Sequence, residues 1–445
     1  MKRILVIGAG RSSGALLNYL QEHAEQDQYE VQIVDRDFEV ANSLVKNKYA
    51  HALQLNIADV QKRESLIAGA ALVISMLPAS LHLSVVQDCI KFGVNLITPS
   101  YISPEIDALN SEAVKHNMFI MNELGLDPGI DHMSAMKMLD EIKAKGNVVI
   151  GFESFTGGLV APESDNNPWH YKLSWNPRNV VLAGQGVSKF LHNNKFKYIP
   201  YNKLFKRTEV IGLPKYGDFE GYANRDSLKY QTTYGLENVE TMYRGTLRRM
   251  GYSRAWDCFV ELGVTDDSYV INNLDKMTYR EFFNMFLPYH KSDSVELKLK
   301  YFLGIRQDEE ALFNKLEWLG IFEEKFIPIT SGTPAQVLQL IIEDKWKMDP
   351  DDKDMCVMYH KVTYRDKAGV LHECKSHMVA IGDKDSTAMA RTVGLPIGIF
   401  ARRALKMDLG YKGVLLPLAK DVYEPVLKEL EEYGVRFEET VVTID

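Results

Sequence analysis

Three features of the first third of the chain predict an α/β fold built on a doubly wound parallel sheet. Six short apolar runs occur there, helical spacing separates them, and a glycine-rich loop follows the first run. Continuous apolar runs suit strands covered on both faces, and their alternation with helices suits parallel pairing through crossovers.

Ile4–Ile7 is the first predicted strand, and Ser12–His23 follows as a helix with Leu16, Leu17 and Leu20 on one face. Val31–Val34 is the next strand, Phe38–Val45 a helix, and Leu53–Leu55 a short third strand. Val60–Ile67 reads as helix, Leu72–Ser75 as strand, Val85–Phe92 as helix and Leu96–Thr98 as strand. Ile106–Lys115 (helix) and Phe119–Asn122 (strand) complete the series. From about Asp127 the rhythm changes. Asp131–Lys143 is a helix, after which strands alternate with loops such as Gly157-Gly158 and Asn166-Asn167-Pro168. Met277 to Glu343 is mostly helical in pattern and rich in charge. Val357–Tyr364 and Val370–Val379 alternate around Asp366-Lys367-Ala368-Gly369, a hairpin signal. Met389–Met407 reads as a helix broken near Gly394 and Pro396, Glu424–Tyr433 as a helix, and Val435–Val442 as a closing strand. No internal repeat or low-complexity linker appears, so the domains share the chain by insertion.

Composition narrows the function. The chain has 445 residues, 46% hydrophobic and 25% charged, which is ordinary for a globular protein with a large core. With 52 Lys plus Arg against 60 Asp plus Glu, the net charge is −8, and no basic block marks a nucleic-acid footprint or a polybasic membrane patch. The apolar run at the start ends at Gly8 after four residues, short of a signal peptide, and no stretch approaches the ~20 residues of a membrane helix. Four scattered cysteines without a C-x-x-C pair suit free thiols in a reducing compartment, so a cytoplasmic location is expected. His360, His372 and His377 near Cys374 lack any recognised ligand spacing, and no metal is expected.

The segment Gly8-Ala9-Gly10-Arg11-Ser12-Ser13-Gly14 lies between the first strand and the first helix. Gly8 and Gly10 permit a tight turn and close approach to a pyrophosphate, whose charge the helix N-terminus favours. Ser13 stands at the usual third glycine and is small enough for close helix–strand packing. Asp35 ends the second strand, where a carboxylate can accept hydrogen bonds from the adenosine ribose. Ligands of an open parallel sheet sit beyond its strand carboxyl ends. That rule makes candidates of Asn56-Ile57, Met76-Leu77-Pro78, Pro99-Ser100-Tyr101 and the turn-rich Glu123–Gly129 loop. Asp127 in that loop is a candidate site carboxylate, whereas Asp131 reads as a helix cap.

Further motifs carry a resemblance: Ser100–Pro104, Asn122–His132, Tyr171–Trp175, Asn224–Ser227, Arg244–Arg248, Thr392–Pro396 and Gly413–Pro417. In order and spacing they resemble the glutamate-forming saccharopine dehydrogenase family, also called saccharopine reductases, over almost the whole chain. The resemblance implies a variant Rossmann domain over 1–126 and about 390–445. It further implies an α/β substrate and dimerisation domain over 127–265 and about 345–390, and a small helical domain over 266–344. The implied reaction passes a hydride from saccharopine to a nicotinamide, and water then hydrolyses the imine to glutamate and 2-aminoadipate 6-semialdehyde. A homodimer is implied as well.

Carried over residue by residue, the resemblance implies catalytic roles for Asp127 and Tyr101. Cofactor contacts fall on Gly8, Gly10, Arg11 and Ser12 of the first loop, and on Asp35, Arg36, Asn56, Ile57 and Leu77. Pro99, Ser100, Leu126, Asp127, Pro128 and Ser174 complete that set. Substrate contacts fall on Ser100, Tyr101, Asp127, Asn224, Arg225, Arg244, Gly245 and Thr246. The chemistry agrees, because the three carboxylates of saccharopine want guanidinium partners such as Arg225 and Arg244. The segment Ser154–Glu163 departs from a family stretch reading SYCGGLPAPE, with Phe155, Thr156 and Val160 replacing tyrosine, cysteine and proline. Asp35 favours NAD as the cofactor, since a 2′-phosphate would meet a like charge there. Arg36 argues for NADP, and Asp37 can hold Arg36 in an ion pair. Two other readings stay open: a carboxynorspermidine dehydrogenase-like enzyme, and a nucleotide-binding regulatory protein without turnover.

Overall fold

The computed structural model describes residues 1–444. The first strands are β1 (Lys2–Ile7), β2 (Tyr29–Asp35), β3 (Ala50–Gln54), β4 (Leu72–Ser75), β5 (Leu96–Ile97) and β6 (Phe119–Met121). In the middle of the chain come β7 (Val148–Val160), β8 (Val187–His192), β9 (Lys195–Pro200), β10 (Thr208–Leu213), β11 (Gly217–Ala223) and β12 (Thr241–Arg249). The remainder are β13 (Ile271–Asn272), β14 (Ser331–Gly332), β15 (Asp354–Arg365), β16 (Leu371–Ile381), β17 (Gly413–Leu415) and β18 (Phe437–Ile444).

The contacts divide the chain into two compact units, 1–148 with 366–370 and 378–440, and 149–365 with 371–377 and 441–445. The first unit holds a parallel sheet in the order β17-β6-β5-β4-β1-β2-β3. Its first six strands follow the 3-2-1-4-5-6 order of a doubly wound dinucleotide fold, and β17 extends the edge. Leu5, Ile7, Val34, Val73, Leu96 and Ile120 are buried in its core, so the continuous apolar runs arise from burial on both faces. The helix Ile130–Ala144 belongs to this unit and packs on Lys420–Leu430, with Tyr423 donating a hydrogen bond to Asp140.

In the second unit the sheet order is β10-β11-β12-β7-β15-β16-β18, with β8 pairing β12 and β9. The closing strand β18 thus joins this second sheet, while the helix Ala388–Lys406, β17 and Lys420–Leu430 return to the first unit. The helices between Tyr279 and Lys345 cluster with the second unit.

Two elements differ from the sequence expectation. The predicted helix Ile106–Lys115 is two short helices, Pro104–Asp107 and Asn110–Lys115; Ser103 caps the first, and Pro104 begins it. The predicted break near Gly394 and Pro396 is absent, and Ala388–Lys406 runs unbroken through Pro396. Packing explains this. A Cβ at Gly394 would lie 2.8 Å from the Leu16 backbone nitrogen, and one at Gly398 would lie 2.6 Å from the Tyr19 ring. Both glycines bring this helix against Gly14–Asp27, and that contact outweighs the hydrogen bond a proline removes. Among the described residues no helix is long and apolar enough to cross a membrane.

Candidate functional site

The carboxyl ends of the first sheet gather most of the expected residues. Gly8 has φ +103°, and a Cβ there would lie 2.9 Å from the Met76 carbonyl oxygen, so only glycine suits the turn. Gly10 has no heavy atom within 4 Å of its Cβ position, which leaves open backbone at the helix start. Ser13 is buried and donates from Oγ to the Gly8 carbonyl at 3.0 Å, closing the loop without a third glycine. Arg11 is exposed and Ser12 half-buried at the rim.

The cofactor expectation changes here. Asp35 Oδ2 accepts the Ala9 N–H at 2.8 Å, and Oδ1 accepts the Asp37 N–H at 3.0 Å. The carboxylate expected to read a ribose braces the glycine loop. Beyond β2 and β3 lies a cavity of about 770 Å³ lined by Arg36, Asp37, Gln54, Asn56, Asp59 and Lys62. Its acids are engaged elsewhere. Asp37 caps the helix Phe38–Ser43 through Glu39 N–H and Val40 N–H, and Asp59 caps Val60–Ala68 through Lys62 N–H. Asp37 therefore does not hold Arg36 as expected. Among the described residues neither Arg36 nor Lys62 has an ion pair, so the cavity presents two cations able to meet a phosphate, beside the Asp37 and Asp59 carboxylates held by their helix caps. The open backbone at Gly10 and these cations fit a dinucleotide carrying an extra phosphate.

Next to the open loops lie the two catalytic candidates. Tyr101, beyond β5, donates from its hydroxyl to Asp127 Oδ1 at 3.0 Å. Asp127 is half-buried between buried Leu126 and Pro128. The loop that carries it is tightly wound: Gly125 N–H donates to the Pro128 carbonyl at 2.9 Å and Ile130 N–H to the Gly125 carbonyl at 2.8 Å. Asp131 Oδ1 accepts the Gly129 N–H at 2.6 Å, but it does so from the first turn of the helix: Gly129 holds the cap position, so Asp131 is not the cap the sequence suggests. Glu123, in the candidate loop but given no role there, and His82, missing from the expected site, prove to be its braces. Glu123 is buried with φ +53°, and its carboxylate accepts Ile102 N–H at 3.0 Å while meeting His132 Nε2 at 2.8 Å. His82 is buried and hydrogen-bonded to Ser75 and Ser100. Glu123 lies in the Asn122–His132 motif, whereas for His82 the only sequence signal is a polar residue a few positions beyond a strand end.

The second unit gathers the expected carboxylate binders. Arg244 is buried on β12, with its guanidinium carbon 4.1 Å from the Tyr230 ring centroid. Ser227 Oγ accepts the Arg244 N–H at 3.0 Å, and Asn224 N–H donates to the Arg244 carbonyl at 2.9 Å, so the two motifs interlock. Arg225 is exposed with φ +50°, and its carbonyl accepts Lys189 N–H at 2.8 Å. A non-glycine residue in the left-handed region marks a position the surroundings impose. Gly245 serves packing: a Cβ there would lie 2.4 Å from the Phe155 ring. Thr246 pairs with Thr156 across parallel β12 and β7, which puts both on the face that carries Arg244. Thr156 Oγ1 and Ser174 Oγ are buried without hydrogen-bond partners, and such orphans are what a polar ligand would satisfy. Ser174, expected among the cofactor contacts, belongs to this second unit.

Comparison with known proteins finds two family models, which meet between residues 121 and 125 and do not follow the division by contacts. Residues 4–121 match the family model described as saccharopine dehydrogenase NADP binding domain, and residues 125–435 match that of the saccharopine dehydrogenase C-terminal domain. The chain is 30% identical to saccharopine dehydrogenase [NADP(+), L-glutamate-forming] of Schizosaccharomyces pombe, covering 99% of each. It is 32% identical to mouse mitochondrial alpha-aminoadipic semialdehyde synthase, over 98% of this chain and 47% of that protein. The solved structure of apo saccharopine dehydrogenase (L-Glu forming) from Saccharomyces cerevisiae superposes with a TM-score of 0.89 at 29% identity, covering 99% of this chain and 100% of that one. The matched domain and the yeast enzyme names speak for NADP ahead of the NAD expected from Asp35.

Proposed function

The chain belongs to the saccharopine dehydrogenase family, and from that membership we propose that it catalyses the NADP-linked, L-glutamate-forming oxidation of saccharopine. The observation that carries the reading is the Tyr101–Asp127 pair, set beyond the strand ends of a dinucleotide-binding sheet. In this reading the glycine loop and helix Gly14–Asp27 take the pyrophosphate, and Arg36 with Lys62 takes the 2′-phosphate. When bound, NADP supplies the hydride acceptor. Arg225 and Arg244 hold substrate carboxylates. Thr246 and the orphaned Thr156 hydroxyl, in place of the family cysteine, offer further polar groups on the face that carries Arg244. Asp127, oriented through Oδ1 by the Tyr101 hydroxyl, balances the substrate ammonium and takes up its proton. Loss of hydride from the carbon beside that nitrogen leaves an imine. Water adds to its carbon, and the C–N bond then breaks to release glutamate and 2-aminoadipate 6-semialdehyde.

Buried thiols at Cys89, Cys258, Cys356 and Cys374 support a reducing, cytoplasmic setting. A homodimer is supported by the β8–β9 hairpin, where Val187, Phe196 and Tyr198 share one face at 48%, 63% and 56% exposure. The direct test is product identity. Incubation with saccharopine and NADP should yield glutamate by chromatography, whereas release of lysine would contradict the proposed bond cleavage.

A further inference from the structure

His82 opens the helix His82–Phe92 and is 1% exposed. Its Nδ1 lies 2.8 Å from Ser75 Oγ at the end of β4, and its Nε2 lies 2.7 Å from Ser100 Oγ beyond β5. Thr98 Oγ1 is 3.5 Å from the same Nε2 and accepts the Ser100 N–H at 3.3 Å. The ring thus ties two strand ends to one expected ligand-binding hydroxyl. Burial pushes the imidazole pKa down to about 4, against a hydrogen bond to the Leu77 backbone, so the ring is neutral near pH 7. A neutral imidazole has one donor and one acceptor nitrogen. It cannot treat its two serines alike: one hydroxyl donates to it and the other accepts.

We propose that His82 is a positioning residue, protonated at Nδ1, whose Nε2 accepts the Ser100 hydroxyl and so turns the Ser100 lone pairs toward the ligand. The contacts favour this tautomer: the hydroxyls of Ser100 and Thr98 both face Nε2, and Thr98 Oγ1, which accepts the Ser100 N–H, has its own proton left to donate toward that nitrogen. Ser100 then offers an acceptor suited to a ligand N–H, such as the protonated nitrogen of saccharopine, and is unsuited to donating to a carboxylate. The inference rests on the saccharopine reading only for the identity of that ligand.

Two measurements test it. Imidazole ¹⁵N shifts of the ligand-free full chain at pH 7, assigned through His82→Gln, are expected to show Nδ1 protonated and Nε2 bare. Protonation at Nε2 overturns the proposal, whatever the substrate. In kinetics, His82→Leu should lower saccharopine kcat/KM about tenfold, the effect of one lost hydrogen bond. His82→Gln, whose amide can still meet Ser100, should recover most of that loss. In a Ser100→Ala background, His82→Leu should cost less than about twofold, because the two residues act as one unit. Equal losses in both backgrounds would mean that His82 acts on the fold and not through Ser100. Failure of the wild type to use saccharopine would sink the functional reading instead, and the ¹⁵N shifts would still decide the tautomer.

Discussion

In the proposed function Arg244 and Arg225 share one task, holding substrate carboxylates, from different surroundings. Arg244 is buried against Tyr230, while Arg225 is exposed on a strained turn. Replacing either by alanine should weaken saccharopine kcat/KM by about 2 kcal/mol, as one substrate carboxylate loses its charged partner. NADP affinity, read by fluorescence titration, should stay within about twofold. Asp35 and Arg36 should separate more sharply. Because Asp35 braces Ala9 N–H and Asp37 N–H, Asp35→Ala should weaken NADP and NAD alike. Arg36→Ala should weaken NADP alone, by roughly tenfold, since two charges at ~4 Å interact by ~1 kcal/mol in water and more near a protein surface. Cofactor preference that tracks Asp35 instead would restore NAD as the lead. The sequence revealed both residues and their place at the strand end. It could not reveal that backbone amides of two neighbouring turns engage the carboxylate, because that depends on how the turns meet in space.

The glycines of the loops separate shape from binding. Gly10→Ala meets nothing within 4 Å, so stability should change by less than about 0.5 kcal/mol, while cofactor affinity falls as the methyl enters the pyrophosphate's place. Gly129→Ala should do the reverse. Its φ is +148°, and the new Cβ would lie 2.1 Å from the Gly125 carbonyl oxygen, so denaturant titration should show a loss of about 3 kcal/mol or more. Near-equal stability of the two variants would contradict this account of the loop. Elements of the first sheet were legible because burial on both faces writes itself as continuous apolar runs. The break expected in Ala388–Lys406 rests on Gly394 and Pro396, which signal it locally, whereas the packing that Gly394 and Gly398 permit against Leu16 and Tyr19 is remote in sequence.

At the scale of the whole molecule, the exposed face of the β8–β9 hairpin leads to an assembly prediction. Sedimentation should give a mass of about 101 kDa, twice the 50.6 kDa of one chain. Phe196→Asp with Tyr198→Asp should shift it toward one chain, by placing charges in an apolar contact. A wild type that sediments as a single chain at micromolar concentration would remove the dimer. The insertion of one unit within the other was legible in the changing rhythm of the chain, but the destination of its last strand was not. Phe437–Ile444 carries no mark of its partner in its own residues, and only the sheet order shows that it pairs into the second sheet. The central claim concerns neither assembly nor topology but the coupling of saccharopine to a nicotinamide. The decisive measurement is the initial rate of nicotinamide reduction by purified protein, with saccharopine as the sole reductant and NADP or NAD as acceptor. The account predicts saccharopine-dependent reduction with NADP the better acceptor, abolished in Asp127→Ala. No reduction with either cofactor in folded protein, or undiminished reduction in Asp127→Ala, would contradict it.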